Sequence, residues 1–127
     1  MIALVYGSRA VVSRVGPVLQ ELQMQMISYS GELTGDDVGS LLENLHQIKV
    51  AIVDSLEQYA ENVCHLLEQS GFSSVVLLIK GERDDWERLC GREVVGYVSQ
   101  AAGEMEFASR LKSIIRSLVP AADTQYQ

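Results

Sequence analysis

Cysteine is scarce: the 127 residues contain two, Cys64 and Cys90. They lie far apart and fit no metal-ligand spacing. This points to reduced, buried or half-buried thiols in a cytoplasmic protein. Positive charge is also in short supply. Ten Lys and Arg stand against 17 Asp and Glu, a formal net charge of -7. A duplex-binding surface needs a basic patch to displace counterions. The longest basic series, Arg110, Lys112 and Arg116, is thin, so direct nucleic-acid binding by this domain is not expected. An acidic surface fits a soluble protein that meets protein partners. Long apolar runs are missing too, and no segment approaches the roughly 18 residues needed to cross a bilayer. Met1-Ile2-Ala3-Leu4-Val5 carries no charged leader and reads as a strand, not as a signal peptide.

What remains is the material of one compact domain. Hydrophobic residues make up 47% and charged residues 21%, enough for a substantial core in a chain of this length. Short apolar runs alternate with helical patterns. Ile2–Tyr6 is a strand ending at Gly7. Over Arg9–Gln23, Val11, Val12, Val15, Val18, Leu19 and Leu22 recur at helical spacing, with Gly16 and Pro17 as a point for a kink or a late start. Met26–Tyr29 is a second strand. Thr34 followed by Asp37 forms a capping-box pattern for a helix that buries Val38, Leu41, Leu42 and Leu45.

Lys49–Val53 is a third strand whose unbroken apolar centre implies burial on both faces. Ser55 and Gln58 repeat the capping pattern, for a helix to about Ser70 with Tyr59, Val63, Leu66 and Leu67 inward and Gly71 closing it. Ser74–Ile79 is a fourth strand, Asp84–Cys90 a short helix with Trp86 and Leu89, and Glu93–Val98 a fifth strand. Glu104–Leu118 is the last helix, with Phe107, Leu111, Ile114, Ile115 and Leu118 inward.

Five β-then-α units predict an α/β fold: a five-stranded parallel sheet, doubly wound, with helices on both faces in three α/β/α layers. Right-handed crossovers leave few topologies, and strand order 2-1-3-4-5 is the commonest. The domain spans 1–119. The segment 120–127, starting at Pro120 and rich in small and polar residues, reads as a tail or linker.

Val50-Ala51-Ile52-Val53-Asp54 resembles the strand of response-regulator receiver domains that ends in the phospho-acceptor aspartate. Gly96-Tyr97-Val98 with Ser99-Gln100-Ala101 resembles their fifth strand and its sequel, and Phe107–Leu118 their closing helix. The order of elements carries the resemblance over nearly the whole chain. It implies a flavodoxin-like receiver of bacterial two-component, phosphorelay signalling, and Asp54 as the acceptor equivalent.

The resemblance also implies a set of partners for that aspartate: two acids after the first strand to hold Mg²⁺, a hydroxyl after the fourth and a lysine after the fifth. Here the first loop reads Tyr6-Gly7-Ser8-Arg9, the fourth strand ends Ile79-Lys80, and Gln100 stands where the lysine belongs. Magnesium is a hard cation that wants oxygen ligands, and one arginine supplies neither its charge nor its geometry. The expectation is a pseudo-receiver, not an enzyme, with no catalytic residues, metal or cofactor. It would act through protein contacts, with Arg9 or Lys80 as possible ion-pair partners of Asp54. The plainer reading of Asp54 is a carboxylate at a helix start. A receiver that is degenerate but still phosphorylated is the alternative.

A second alternative is a small-ligand or flavin-binding domain, since Gly7-Ser8-Arg9 lies between a strand and a helix, a place where backbone N–H groups bind anions. The flavodoxin Thr-Gly-Asn-Thr run and a stacking aromatic are missing. His46 and His65 sit on separate helices without ligand spacing. Glu82-Arg83-Asp84-Asp85 suits a solvated helix start. The candidate interface, for a protein partner or a homodimer, is the face of the short helix, the fifth strand and the last helix. Its residues are Trp86, Arg88, Tyr97, Arg110 and Lys112, of types enriched at binding hot spots.

Overall fold

The structure is a computed structural model that describes residues 1–80 and 94–118. The short helix expected at Asp84–Cys90, with Trp86 and Arg88, and the tail 120–127 lie outside those residues. Within them the sheet is the expected one: five parallel strands in the order β2-β1-β3-β4-β5. The strands are β1 (Ile2–Tyr6), β2 (Gln25–Tyr29), β3 (Ile48–Asp54), β4 (Val75–Ile79) and β5 (Gly96–Ser99). Helices α1 (Arg9–Glu21), α2 (Gly35–Asn44), α3 (Ala60–Gln69) and α4 (Glu104–Leu118) connect or follow them.

Strand periodicity divides the core in two. Ala3, Val5, Val50, Ile52, Val76, Leu78 and Val98 face α1 and α4, where they meet Val15, Leu19, Phe107, Leu111 and Ile115. Their neighbours Leu4, Tyr6, Ala51, Val53, Val75, Leu77 and Ile79 face α2 and α3, where they meet Leu41, Val63, Cys64 and Leu67. Successive side chains of a strand point to opposite faces, so the unbroken apolar runs of β3 and β4 feed both layers. Lys49 is the exception. A bulge pairs Ile2 with Ile48 but Ala3 with Val50, and the extra residue is left exposed. Among the described residues no helix is long and apolar enough to cross a membrane.

Helix ends follow local chemistry. Ser8 caps α1, its hydroxyl accepting from the Val11 N–H, and the helix runs unbroken through Pro17. The α2 capping box forms as expected: the Asp37 N–H donates to Thr34 Oγ1 over 3.1 Å, and the Thr34 N–H to Asp37 Oδ2 over 3.0 Å. Gly71, at φ 82°, closes α3 with paired bonds from Gly71 N to Glu68 O and from Phe72 N to Leu67 O. Gln23 ends α1 the same way at φ 59°, without being glycine.

Three expectations are corrected. The Ser55–Gln58 capping box does not form, and α3 starts at Ala60 after a turn, with no side-chain cap at Tyr59. Leu42 is 42% exposed, because α2 covers the edge side of the sheet and only Leu41 of its stripe is fully buried. β5 begins at Gly96; Val94 and Val95 precede the strand.

Candidate functional site

Asp54 ends β3 and is the only buried charged residue among those described, at 4% exposure. Its Oδ1 accepts two hydrogen bonds. The Leu56 N–H donates over 3.0 Å, folding the chain into a turn, and the Gln100 side-chain amide donates over 2.7 Å. The first bond explains the late start of α3: the carboxylate takes the N–H of Leu56, and Glu57 N then closes on Asp54 O. An aspartate that folds back on its own backbone competes with helix at that point. Asp54 thus shapes a turn after β3, and no ion pair to Arg9 or Lys80 forms among the described residues. Both of those side chains are exposed.

Gln100 reaches Asp54 because β5 lies beside β4. The Gln100 N–H donates to Ile79 O over 2.7 Å, extending the β4–β5 ladder by one residue. The side chain turns back over the end of the sheet, where Nε2 also meets Leu78 O at 3.2 Å. Ser99, beside it, ties its hydroxyl to Lys80 O at 3.3 Å. The amide therefore lies where the receiver resemblance calls for a lysine. It satisfies the carboxylate by hydrogen bonding and brings no charge.

The opposite wall is Gly7, which is buried. A Cβ there would stand 2.9 Å from Val11 Cγ1 and 3.2 Å from Asp54 Cβ. The glycine allows the first loop to press against the aspartate, and the space in which another side chain would begin is filled. Tyr6, immediately before it, is buried at 1% exposure and donates its hydroxyl to Gly31 O over 2.6 Å. Burial pushes the Tyr6 hydroxyl above its ordinary pKa, and the nearby Glu57, Tyr59 and Asp54 add to the rise.

These residues do not fit a magnesium site. Magnesium keeps near-ideal octahedral oxygen geometry and is held by carboxylates. The loop Tyr6–Arg9 offers none, Oδ1 of Asp54 already faces two donors, and a longer side chain at Gly7 would meet Val11 and Asp54 itself. Among the described residues no three His, Cys, Asp or Glu side chains converge.

Other sequence candidates are dispersed. Tyr97 is packed with the core on the α2–α3 side. Arg110 and Lys112 sit on α4, across the sheet. Arg110 pairs with Glu106 on its own helix, and Lys112 pairs with Glu21 of α1, so Lys112 faces α1 and not β5. His65 pairs with Glu61, and His46 is exposed beside Gln47.

The residue that sequence reasoning missed is Arg14. From α1 it donates to Gln100 O at 2.8 Å, Ala102 O at 2.6 Å and Glu104 Oε1 at 3.2 Å, over the ring of Phe107. Its only sequence signal is a cation on an otherwise apolar-rich helix, which does not distinguish it from Arg9.

No protein-family model and no curated protein sequence matches the chain. Solved structures do. A response regulator receiver domain from Clostridium thermocellum superposes with a TM-score of 0.67 at 13% identity, covering 91% of this chain and 94% of that one. The chemotaxis response regulator CheY4 of Vibrio cholerae gives 0.60 at 12%, covering 89% and 97%. A protein named as pilus-assembly-related from Burkholderia pseudomallei gives 0.65 at 10%, covering 91% and 90%. At these identities the shared property is the fold. The chain has the receiver-like fold, the five-stranded sheet and flanking helices seen in response-regulator receivers.

Proposed function

We propose that the chain is a signalling or regulatory interaction module: a pseudo-receiver that works by contact with a protein partner or a second copy, without Mg²⁺-dependent phosphorylation of Asp54. The observation that carries this reading is the bond from Gln100 Nε2 to Asp54 Oδ1 at 2.7 Å. The acceptor oxygen is engaged by a neutral amide at the place where a phosphorylatable site needs a cation and a metal. Building a phosphoryl group there would add charge beside groups that cannot neutralise it. The packing of Gly7 on Asp54 supports the same reading, since the first loop supplies contact where a receiver supplies carboxylates.

Partner contact is then the output. The candidate contact residues are those named from sequence: Trp86 and Arg88, outside the described residues, and Tyr97 and Arg110, which lie on opposite sides of the sheet. Lys112 contributes less, because its ammonium is already paired with Glu21.

The test is incubation of the full chain with acetyl phosphate and Mg²⁺, followed by intact-mass measurement, with Asp54→Asn as the control. The expected result is no phosphoprotein. A stoichiometric species that disappears in Asp54→Asn overturns the proposal in favour of a degenerate but working receiver. A coloured, flavin-containing preparation overturns it in favour of cofactor binding.

A further inference from the structure

Arg14 has no role in the site as read from sequence, yet it is the most heavily engaged cation among the described residues. All three guanidinium nitrogens donate: Nη1 to Gln100 O at 2.8 Å, Nη2 to Ala102 O at 2.6 Å, Nε to Glu104 Oε1 at 3.2 Å. The guanidinium carbon lies 4.0 Å from the centroid of the Phe107 ring. The side chain is 24% exposed, so these bonds are partly shielded from water. A planar fork with fixed donors spans two carbonyls of one turn, which a lysine ammonium cannot do in the same way. Stacking on Phe107 adds a cation–π attraction and holds the plane in register.

The segment it holds is the one that serves Asp54. Gln100 is gripped from both sides: its carbonyl by Arg14 of α1, its N–H by Ile79 O, and its side-chain amide by Asp54. Two hydrogen bonds in series through one residue therefore separate the guanidinium from the carboxylate. Beyond Gln100 the chain turns through Ala101 and Ala102, both tied to Ser99, and enters α4 at Gly103, whose carbonyl accepts from Phe107 N. Phe107 is also the ring beneath Arg14, which closes the circuit.

We infer that Arg14 and Gln100 form a latch that couples the cleft between α1 and α4 to the Asp54 carboxylate. Withdrawing the guanidinium from its two carbonyls frees the turn at Gln100–Gly103 and loosens the amide from Asp54 and, through Asp54, the turn at Leu56. Arg14 acts through Gln100 and is a positioning residue. The cleft it lines is an open groove of about 590 Å³ that also includes Glu104, Met105 and Lys112, so events on the α1–α4 face reach the end of the sheet by this route. The opening is local, because the freed carbonyls are near solvent while the sheet and both cores are untouched. The coupling stands whether or not Asp54 is ever phosphorylated.

The test is amide hydrogen exchange by NMR on the full chain, comparing the parent with Arg14→Lys and Arg14→Gln, each also in a Gln100→Ala background. Both Arg14 variants are expected to raise exchange at Gln100 and Ala102 by about tenfold and at Leu56 by a smaller factor above about twofold, as local opening events do. Val5 and Ile52, buried at the sheet centre, are expected to stay at parent rates. In the Gln100→Ala background the Arg14 substitutions should no longer move Leu56. Exchange at Gln100 and Leu56 unchanged in both variants overturns the latch. So does an equal rise at Val5 and Ile52, which would be global destabilisation, or an undiminished rise at Leu56 without Gln100. Failure here leaves the phosphorylation result untouched, since that experiment reads Asp54 chemistry alone.

Discussion

Gln100 and Asp54, 46 residues apart in the chain, share a 2.7 Å hydrogen bond at the end of the sheet. Asp54 is buried, at 4% exposure, and the amide supplies one of the two hydrogen bonds that its Oδ1 accepts. A hydrogen bond to a charged group contributes about 1.5–3 kcal/mol, and without the amide Oδ1 keeps only the bond from the Leu56 N–H. Gln100→Ala is therefore expected to lower unfolding stability by about 2 kcal/mol. Urea titration followed by circular dichroism checks this. The midpoint should fall with an unchanged slope, the signature of altered stability and not of an altered unfolded ensemble. A midpoint equal to the parent's would show that the bond contributes nothing net.

How much of this was legible in the sequence depends on the range of the interaction. The sheet order followed from alternating β and α patterns, because each apolar run had a length and flanks that admit few topologies. The α2 capping box was legible because Thr34 and Asp37 are three residues apart and each satisfies the other. The same pattern at Ser55 and Gln58 misled, because a stronger local acceptor, the Asp54 carboxylate, takes the N–H of Leu56 first. That Gln100 stands where the receiver resemblance implies a lysine is readable in the residue order. That its amide turns back onto Asp54 was not, since it depends on β5 continuing one residue past β4 to Ile79 O. Arg14 was illegible altogether. Its partners lie 86 to 90 residues away, and no local pattern marks a helix arginine as the one that closes a turn on another helix.

Gly7 is expected to be intolerant of even one added carbon. The Cβ of an alanine would meet Val11 Cγ1 at 2.9 Å and Asp54 Cβ at 3.2 Å, and neither neighbour is the far end of a flexible side chain. Overpacking of this kind costs about 1–3 kcal/mol. Gly7→Ala should fall in that range by urea titration. The double variant Gly7→Ala/Val11→Ala should cost less than the sum of its parts, because the second change removes the nearest of the atoms that the first meets. Strict additivity would place the strain elsewhere than in this contact. The same reasoning bears on any attempt to restore a metal site by Gly7→Asp alone: the new side chain begins inside occupied space.

Tyr6 gives the site an alkaline limit. Its hydroxyl is buried, donates to Gly31 O, and lies near Glu57, Tyr59 and Asp54, so its pKa is raised above the ordinary 10.0. The unfolded chain loses this proton at the ordinary value and the folded chain holds it to higher pH, so above pH 10.0 the folded state binds more protons. Stability then falls as pH rises through that window. Below it the contribution is fully present. Tyr6→Phe removes both the hydrogen bond and the titration. At pH 7 it is expected to cost about 1 kcal/mol, the net value of one hydrogen bond, with the Gly31 carbonyl left to find water. Above pH 10 the difference between the two proteins should shrink, because the parent is losing what the variant never had. Parallel stability curves for parent and Tyr6→Phe from neutral to strongly alkaline pH would show that Tyr6 keeps its ordinary titration in the folded chain, and that the buried hydroxyl does not set the limit.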